Sequence, residues 1–380
     1  MQNIFTQLGF IPIKIHFFQK LTFSLILGII CFYHNFYFLI ILPLLYLCLI
    51  FHSLWKKTEN NKNVENFLII LIFFIGGLLI NRQKNNFNKF YHETKNNSFD
   101  LIGSVIDKSR IEHLNLKNCL TLKIEKIKNK NSTEWKYCDQ SITIYVNKAT
   151  GLTVDDVIKV NDVQFKCNEN EDFQNYLMKE NLVASLFLYN FSFKKYYRPF
   201  FSIRRFIHRT KNNLFYKLKD KMNPETFALF SSIFLGNKNL IKELMHEPKD
   251  KFQIWGLSHY LARAGLHLTI IIAIWHALMS LFRFSFKIMH FATFILILIY
   301  HFLTWPSIPF VRSLFMFILY KICILFDLQI NALHLLNITI FTILFFNPIQ
   351  LFSLDFQLSF GITYGLIWLS YATLRNKLQK

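Results

Sequence analysis

The chain has 380 residues, of which 53% are hydrophobic and only 17% are charged. This is more apolar surface than one soluble core of that length can bury, so a soluble globular protein is excluded. Lys and Arg number 43 against 23 Asp and Glu, which gives a net charge of +20, and the densest positive charge falls in the short segment 196–222. Composition therefore predicts a polytopic α-helical membrane protein with one strongly basic segment.

Residues 1–82 predict an N-terminal membrane anchor of about three transmembrane helices. The apolar run 21–51 is long enough for two tight crossings that are separated at His34, and a third follows at about 67–80. Lys residues precede the first crossing and join the second to the third, so the positive-inside rule places the N-terminus in the cytoplasm. The chain that follows is then expected outside.

Residues 98–193 predict an inserted, extracytoplasmic OB-like β-domain. Apolar and polar residues alternate there in short runs, at 101–106, 120–124, 141–146 and 157–163. OB folds often bind single-stranded nucleic acid, but charge is nearly balanced here and the aromatic residues also suit a core, so both interpretations stay open. Two of the cysteines are expected to form a disulfide if this domain lies outside the cytoplasm, and no zinc-ligand spacing occurs. These cysteines are Cys119, Cys138 and Cys167.

Residues 196–263 predict basic amphipathic or interfacial helices. The segment 196–222 holds eight Lys or Arg and a single acid, interleaved with Phe and Tyr. Such a helix either holds anionic lipid head groups or forms a positive approach to a pore for a polyanion. The residues expected to form that approach are Arg204, Arg205, Arg209 and Lys211.

Residues 264–380 predict a membrane domain of about five further transmembrane helices, which brings the total to about eight. Arg283 and Lys287 and the basic C-terminal residues then all fall in the cytoplasm, so both ends of the chain give one topology. The predicted crossings are 264–282, 288–304, 307–327, 331–346 and 348–371.

Three polar residues inside these crossings are functional candidates, because polar groups in a membrane are costly. His267, Arg312 and Asp355 stand three, five and seven residues into their predicted crossings, which places them about 5 to 10 Å below the outer surface. An unpaired charge at that depth is expensive, so Arg312 is expected to pair with Asp355, with His267 and His259 close by. The alternative is a structural ion pair that ties two helices together.

At these residues the sequence resembles the ComEC family of competence DNA-uptake channels. Residues 256–267, GLSHYLARAGLH, resemble that family's G-L-x-H-L-L-A-x-S-G-L-H signature, and residues 234–236, FLG, its companion L-L-G. Pro309 to Ser313 resembles the intramembrane R-A site, and residues 347–360 resemble the N-P-x-x-L-x-D-x-x-F-Q-L-S-F signature. The resemblance implies channel residues, to which we assign His259, Gly265, His267, Arg312, Asp355, Gln357 and Ser359.

The chain departs from the family pattern at several of these positions. Ala264 replaces the serine of S-G-L-H, Ser313 replaces alanine, and Arg263 adds a charge. The family's acid falls on Ser353, while Asp355 stands two residues later. No HxHxDH cluster occurs, so a short form without the metallo-β-lactamase-like domain is expected.

The resemblance implies an inner-membrane channel that passes single-stranded DNA into the cytoplasm during natural transformation, with its β-domain in the periplasm. Expected partners are single-stranded DNA, membrane lipids, a periplasmic DNA receptor, a cytoplasmic ATP-driven motor and a second copy of the chain. No cofactor, metal or catalytic activity is expected. Alternatives are a membrane enzyme that uses an intramembrane His as base, a small-anion transporter that uses Arg312, and an inert scaffold.

Overall fold

The computed structural model divides the chain into two compact units. Unit 1 consists of Met1–Asn86, His276–Phe294 and Val311–Lys380, and unit 2 consists of Phe87–Trp275 and Ile295–Phe310. The residues that the structure describes are 12–36, 43, 60–94, 97–110, 118–130, 132, 134–147, 151–165, 170–188, 193–237, 265–282, 284–305, 308–328 and 331–378.

Helices account for most of the described chain. Their bounds are α1 Pro12–Tyr33, α2 Asn60–Thr94, α3 Glu171–Lys179, α4 Ile203–Lys221, α5 Pro224–Phe230, α6 Gly265–Ser280, α7 Phe286–Leu303, α8 Ile308–Leu325, α9 Ala332–Phe346 and α10 Leu354–Leu378. A π-helical turn, Ser231–Leu235, follows α5, and a 3₁₀ helix, Pro348–Phe352, precedes α10.

In unit 1, α1 packs closely against α2 and α9. A Cβ atom built on Gly28 of α1 would overlap the backbone carbonyl of Phe73 on α2, so only glycine allows this approach. Leu25 and Ile29 are fully buried on the same helix. Towards α9, the hydroxyl of Thr22 lies 3.4 Å from the backbone oxygen of Asn337. The apolar N-terminal helix is therefore a packed part of the unit.

Unit 2 contains a mixed six-stranded sheet. The strand order is β5-β3-β2-β1-β4-β6, and all pairs are antiparallel except β3 with β5. The predicted alternation is confirmed, because Leu120, Leu122 and Ile124 of β2 point into the core while their neighbours lie nearer the surface. The strands are β1 Ser98–Arg110, β2 Asn118–Asn129, β3 Lys136–Val146, β4 Val157–Gln164, β5 Ala184–Leu188 and β6 Phe193–Tyr197.

The sheet does not close in the part of the chain that the structure describes, since no ladder there joins β5 to β6. An OB-like barrel therefore stays a prediction. The predicted disulfide is wrong: Cys119 and Cys138 are both free, and every pairing among the three cysteines needs at least one of them. They lie at opposite ends of neighbouring strands, because Cys119 faces Tyr145 while Lys126 faces Tyr137, the residue before Cys138. Cys167 lies outside the described residues.

The five helices predicted for residues 264–380 are present as α6 to α10. Two helical segments among the described residues are long and apolar enough to cross a membrane, Glu65–Thr94 and Phe286–Leu303. Length and composition alone are weak grounds for a crossing, so the expected total of about eight stays a prediction. The second crossing predicted in the run 21–51, after the break at His34, lies almost wholly outside the described residues.

The boundary of the last helix was predicted wrongly. A continuous helix was expected from Pro348, but the chain forms a separate 3₁₀ helix there and α10 begins at Leu354. Ser353 lies between them in an extended conformation, and its hydroxyl accepts from the backbone N–H of Phe356 at 3.3 Å. Serine in this capping position begins a new helix.

Candidate functional site

Arg312 lies in the second turn of α8 and is bound to α10. Its Nη1 donates to the backbone oxygen of Ser359 and to the hydroxyl of Thr363. The guanidinium carbon is 5.7 Å from the ring centre of Phe360. The Nε of Arg312 and the hydroxyl of Ser359 are buried and have no hydrogen-bond partner within the described ranges. One side of the guanidinium is therefore fixed to the helix, and the other side retains a donor.

Asp355 stands at the beginning of α10, in its first turn. A carboxylate is favoured there by the partial positive charge of a helix N-terminus. Asp355 is therefore not seven residues inside a helix, and the common depth with Arg312 that was expected does not follow. Ser359 and Thr363 come one and two turns after Asp355 on the same face, so the contacts of Arg312 lie further along α10. The Arg312–Asp355 pair stays a prediction.

The other assigned channel residues are divided between the two units, except for His259. Gln357 is exposed, and its side-chain amide donates to the backbone oxygen of Leu351 at 3.0 Å. Gly265 begins α6, and His267 is half-buried two residues later, with its ring 5.9 Å from that of Phe234. His267 belongs to unit 2 and Arg312 to unit 1, so their proximity stays a prediction. His259 lies outside the described residues.

The FLG motif at residues 234–236 has a structural role that the sequence alone did not indicate. Gly236 ends the π-helical turn with a φ of 80°, a left-handed conformation that glycine adopts most easily. The backbone oxygen of Leu235 accepts from the backbone N–H of Trp305 at 2.8 Å. The backbone oxygen of Phe234 accepts from the hydroxyl of Tyr300 at 2.5 Å. The motif therefore anchors the end of α7 in unit 2.

The predicted basic helix is present as α4, and its basic residues are partly engaged within unit 2. The buried carboxylate of Asp156 accepts from Arg198 at 2.7 Å and from Arg205 at 3.3 Å. Burial alone would raise the pKa of Asp156, but hydrogen bonds from Arg198 and Thr153 outweigh it and hold the pKa below its usual range. Arg204 lies 3.4 Å from Asp155. Two of the four proposed approach residues therefore bind the β-domain.

Further contacts bind α4 along its length. Lys211 donates to the backbone oxygen of Thr304 at 3.1 Å, and its ammonium lies 3.7 Å from the ring centre of Trp305. His208 Nε2 is 3.4 Å from Asp107. Burial raises the pKa of that carboxyl, but His208, Lys211 and the backbone of Lys108 together outweigh it, so the pKa is lowered. Among the four proposed approach residues, Arg209 is exposed. A role of all four in DNA approach stays a prediction.

The outer face of α4 and the segment before it carry exposed aromatic side chains. Phe200 is fully exposed, and Phe201 and Phe206 are 76% and 68% exposed. On the opposite face Phe215 is buried against Phe227 and Trp305, with ring centres 5.0 and 5.5 Å apart. Helix α4 therefore packs one apolar face within unit 2, while Phe206 on its opposite face and the two rings that precede the helix are open to solvent.

A metal centre is not found in the described chain, where no three His, Cys, Asp or Glu side chains are grouped to hold an ion. The fold defines a helical protein with apolar helices and a separate mixed β-sheet domain. The family model for Competence protein matches residues 233–380. This C-terminal part of the chain therefore matches the ComEC-like competence family, whose members are membrane proteins, and the match suggests a role in DNA uptake. Comparisons with curated proteins and with solved structures gave no match.

Proposed function

We propose that this protein is the inner-membrane channel through which one DNA strand passes into the cytoplasm during natural competence. The observation that carries the proposal is the family match over residues 233–380, which includes α6 to α10 and Arg312. In this proposal the chain transports DNA and catalyses no reaction. Both termini lie in the cytoplasm, and the β-domain lies in the periplasm, where it receives DNA.

Arg312 is the residue to which we assign contact with the DNA backbone. A guanidinium within an apolar helix is costly unless it is bound or serves an anionic cargo. The Nε of Arg312 and the hydroxyl of Ser359 supply a donor pair for a phosphate oxygen, while Nη1 stays fixed to α10. Arg can make this contact and Lys cannot, because the planar guanidinium carries several donors, of which one is fixed to the helix while another stays available.

The negative charge of DNA determines which partners the protein requires. Moving each phosphate against a negative interior costs about 2.3 kcal/mol per 100 mV, so uptake requires a motor. We assign that motor to a cytoplasmic ATP-driven protein and DNA delivery to a periplasmic receptor. The exposed rings of Phe200, Phe201 and Phe206 beside Arg209 suit a lipid surface. A second copy of the chain would complete the pore.

Substitutions at Arg312 test the site. Arg312→Gln is expected to lower transformation frequency strongly, because the variant loses the charge-assisted hydrogen bond to phosphate. Arg312→Lys should retain part of the activity, because it keeps the charge and loses the paired donors. Lys287→Gln is the matched control, since Lys287 forms an exposed ion pair with Asp327 at 3.0 Å. Full transformation by Arg312→Gln, in protein shown to reach the membrane, would refute the assignment.

A further inference from the structure

Three nitrogen-bearing side chains meet inside unit 1, on three neighbouring apolar helices. Lys321 of α8 is 2% exposed and His290 of α7 is 6% exposed. The Nζ of Lys321 is 2.7 Å from Nδ1 of His290 and 3.2 Å from Nε2 of His276 on α6. Neither α6, α7 nor α8 contains an Asp or Glu. The cluster thus collects three basic groups without a carboxylate on the helices that carry it.

The hydrogen bonds of this cluster allow more than one position for a proton. The hydroxyl of Thr293 donates its only hydrogen to the backbone oxygen of Met289 at 2.7 Å, and it lies 3.3 Å from Nε2 of His276. That nitrogen therefore either accepts from an ammonium at Lys321 or carries a hydrogen and donates to Thr293. Nδ1 of His290 either accepts from the ammonium of Lys321 or carries a hydrogen and donates to the neutral amine, and its Nε2 is buried without a hydrogen-bond partner in the described chain.

The surroundings limit the cluster to one positive charge. A second charge about 3 Å from the first, in a buried site, is strongly opposed by repulsion. The rings of Phe317 and Tyr320 lie 4.9 and 5.9 Å from Nζ of Lys321, and that of Phe286 is 4.2 Å from the His290 ring. Lys287 of α7 and Asp327, which follows α8, form an exposed ion pair at 3.0 Å. The next charge on α8, Arg312, is bound to α10.

We propose that Lys321, His276 and His290 form a buried binding site for a single exchangeable proton. When the proton moves from Lys321, an N–H bond breaks at Nζ and leaves a lone pair there, and an N–H bond forms at Nδ1 of His290 or Nε2 of His276. The net charge stays at +1 during this transfer. Loss of the proton to solvent leaves a neutral cluster. This inference does not rest on DNA transport, because it concerns only the contacts among α6, α7 and α8.

The test is nitrogen NMR of the full-length protein in lipid nanodiscs, with ring-¹⁵N histidine and resonances assigned through His276→Gln and His290→Gln. The ¹⁵N chemical shift of a ring nitrogen with a lone pair differs clearly from that of a ring nitrogen that carries a hydrogen. At pH 7.5 the expected spectrum has lone pairs at Nδ1 of His290 and Nε2 of His276. When Lys321 loses its proton at higher pH, both resonances should shift together, and at pH 5 at most one of the two rings should carry two hydrogens.

Three variants complete the test. Lys321→Arg holds a permanent charge, so both resonances should stay fixed from pH 7.5 to 9.5. In Lys321→Met one ring should take its second hydrogen at a pH at least one unit higher than in the unmodified protein. Lys287→Met, the matched control, should leave the pattern unchanged. Two doubly protonated rings at pH 5, a shift of one resonance without the other when Lys321 loses its proton, or equal effects of Lys287→Met and Lys321→Met would each overturn the proposal. Lys321→Arg keeps the test decisive if Lys321→Met does not fold.

Discussion

Asp156 is the residue whose loss should most weaken the attachment of the basic helix to the β-domain. Its side chain is fully buried and accepts four hydrogen bonds: two from Arg198 at 2.7 Å, one from Arg205 at 3.3 Å and one from the backbone N–H of Thr153 at 2.8 Å. Asp156→Asn keeps the shape of the side chain but removes the charge. One of its oxygens becomes an NH₂ group that points at a guanidinium.

The expected loss of stability is about 2 to 3 kcal/mol. Breaking a buried ion pair costs about 3 to 5 kcal/mol when the remaining charge stays buried. Here the side chain of Arg198 is 48% exposed and can take up water, which reduces that figure. Arg205 is more deeply placed, at 21% exposed, and retains its bonds to the backbone oxygens of Val154 and Pro199.

Thermal unfolding of the full chain in nanodiscs, followed by tryptophan fluorescence, measures this effect. The midpoint of the Asp156→Asn variant should fall by several degrees. The matched control is Asp162→Asn, which removes an exposed carboxylate that pairs with Lys130 at 3.0 Å and should leave the midpoint nearly unchanged. Equal midpoints for both variants would show that the buried pair does not hold α4 to the sheet.

Three further predictions concern packing, acidity and thiols. Gly28→Ala should destabilise unit 1 by about 2 kcal/mol or more, because its Cβ atom would overlap Phe73. Gly361→Ala is the control, since a Cβ atom there has no neighbour within 4 Å, and it should leave stability unchanged. Equal unfolding midpoints would contradict the packing of α1 on α2. The pKa values of Asp107 and Asp156 lie below the ordinary 3.8, so both carboxylates stabilise the folded protein above that pH and lose this effect as the pH falls through their folded pKa values. Asp156→Asn should therefore flatten the decline of stability in acid unfolding curves. An unchanged curve would contradict this prediction. Burial raises the pKa of the Cys119 and Cys138 thiols to about 11, so alkylation at pH 7.5 should be at least about tenfold slower in the folded protein than in denaturant, and equal rates would be inconsistent with their placement.

The sequence predicted the elements well where periodicity alone decides them. The alternation in residues 101–163 corresponds to β1 to β4, and the apolar runs after residue 264 correspond to α6 to α10. These patterns reflect which side of an element is buried, which is a local property. The start of α10 was missed because Ser353 caps the helix through its hydroxyl, a contact that hydropathy does not register.

Contacts between distant residues left little signal in the sequence. Arg312 donates to Ser359 and Thr363, whose sequence positions indicated no such contact, and its pairing with Asp355 stays a prediction. The partners of Arg205 and His208 are 49 and about 100 residues away in the β-domain, so the basic segment could not be recognised as partly structural. Lys321 and its two histidines lie on separate helices, and only their packing reveals the cluster.

The most direct test of DNA transport is the fate of labelled double-stranded DNA in a deletion strain of the source organism. The account predicts that label accumulates in a protected form outside the inner membrane, that no single strand appears in the cytoplasm and that transformants vanish, all restored by the intact gene. Unchanged arrival of labelled single strands in the cytoplasm would contradict the channel function.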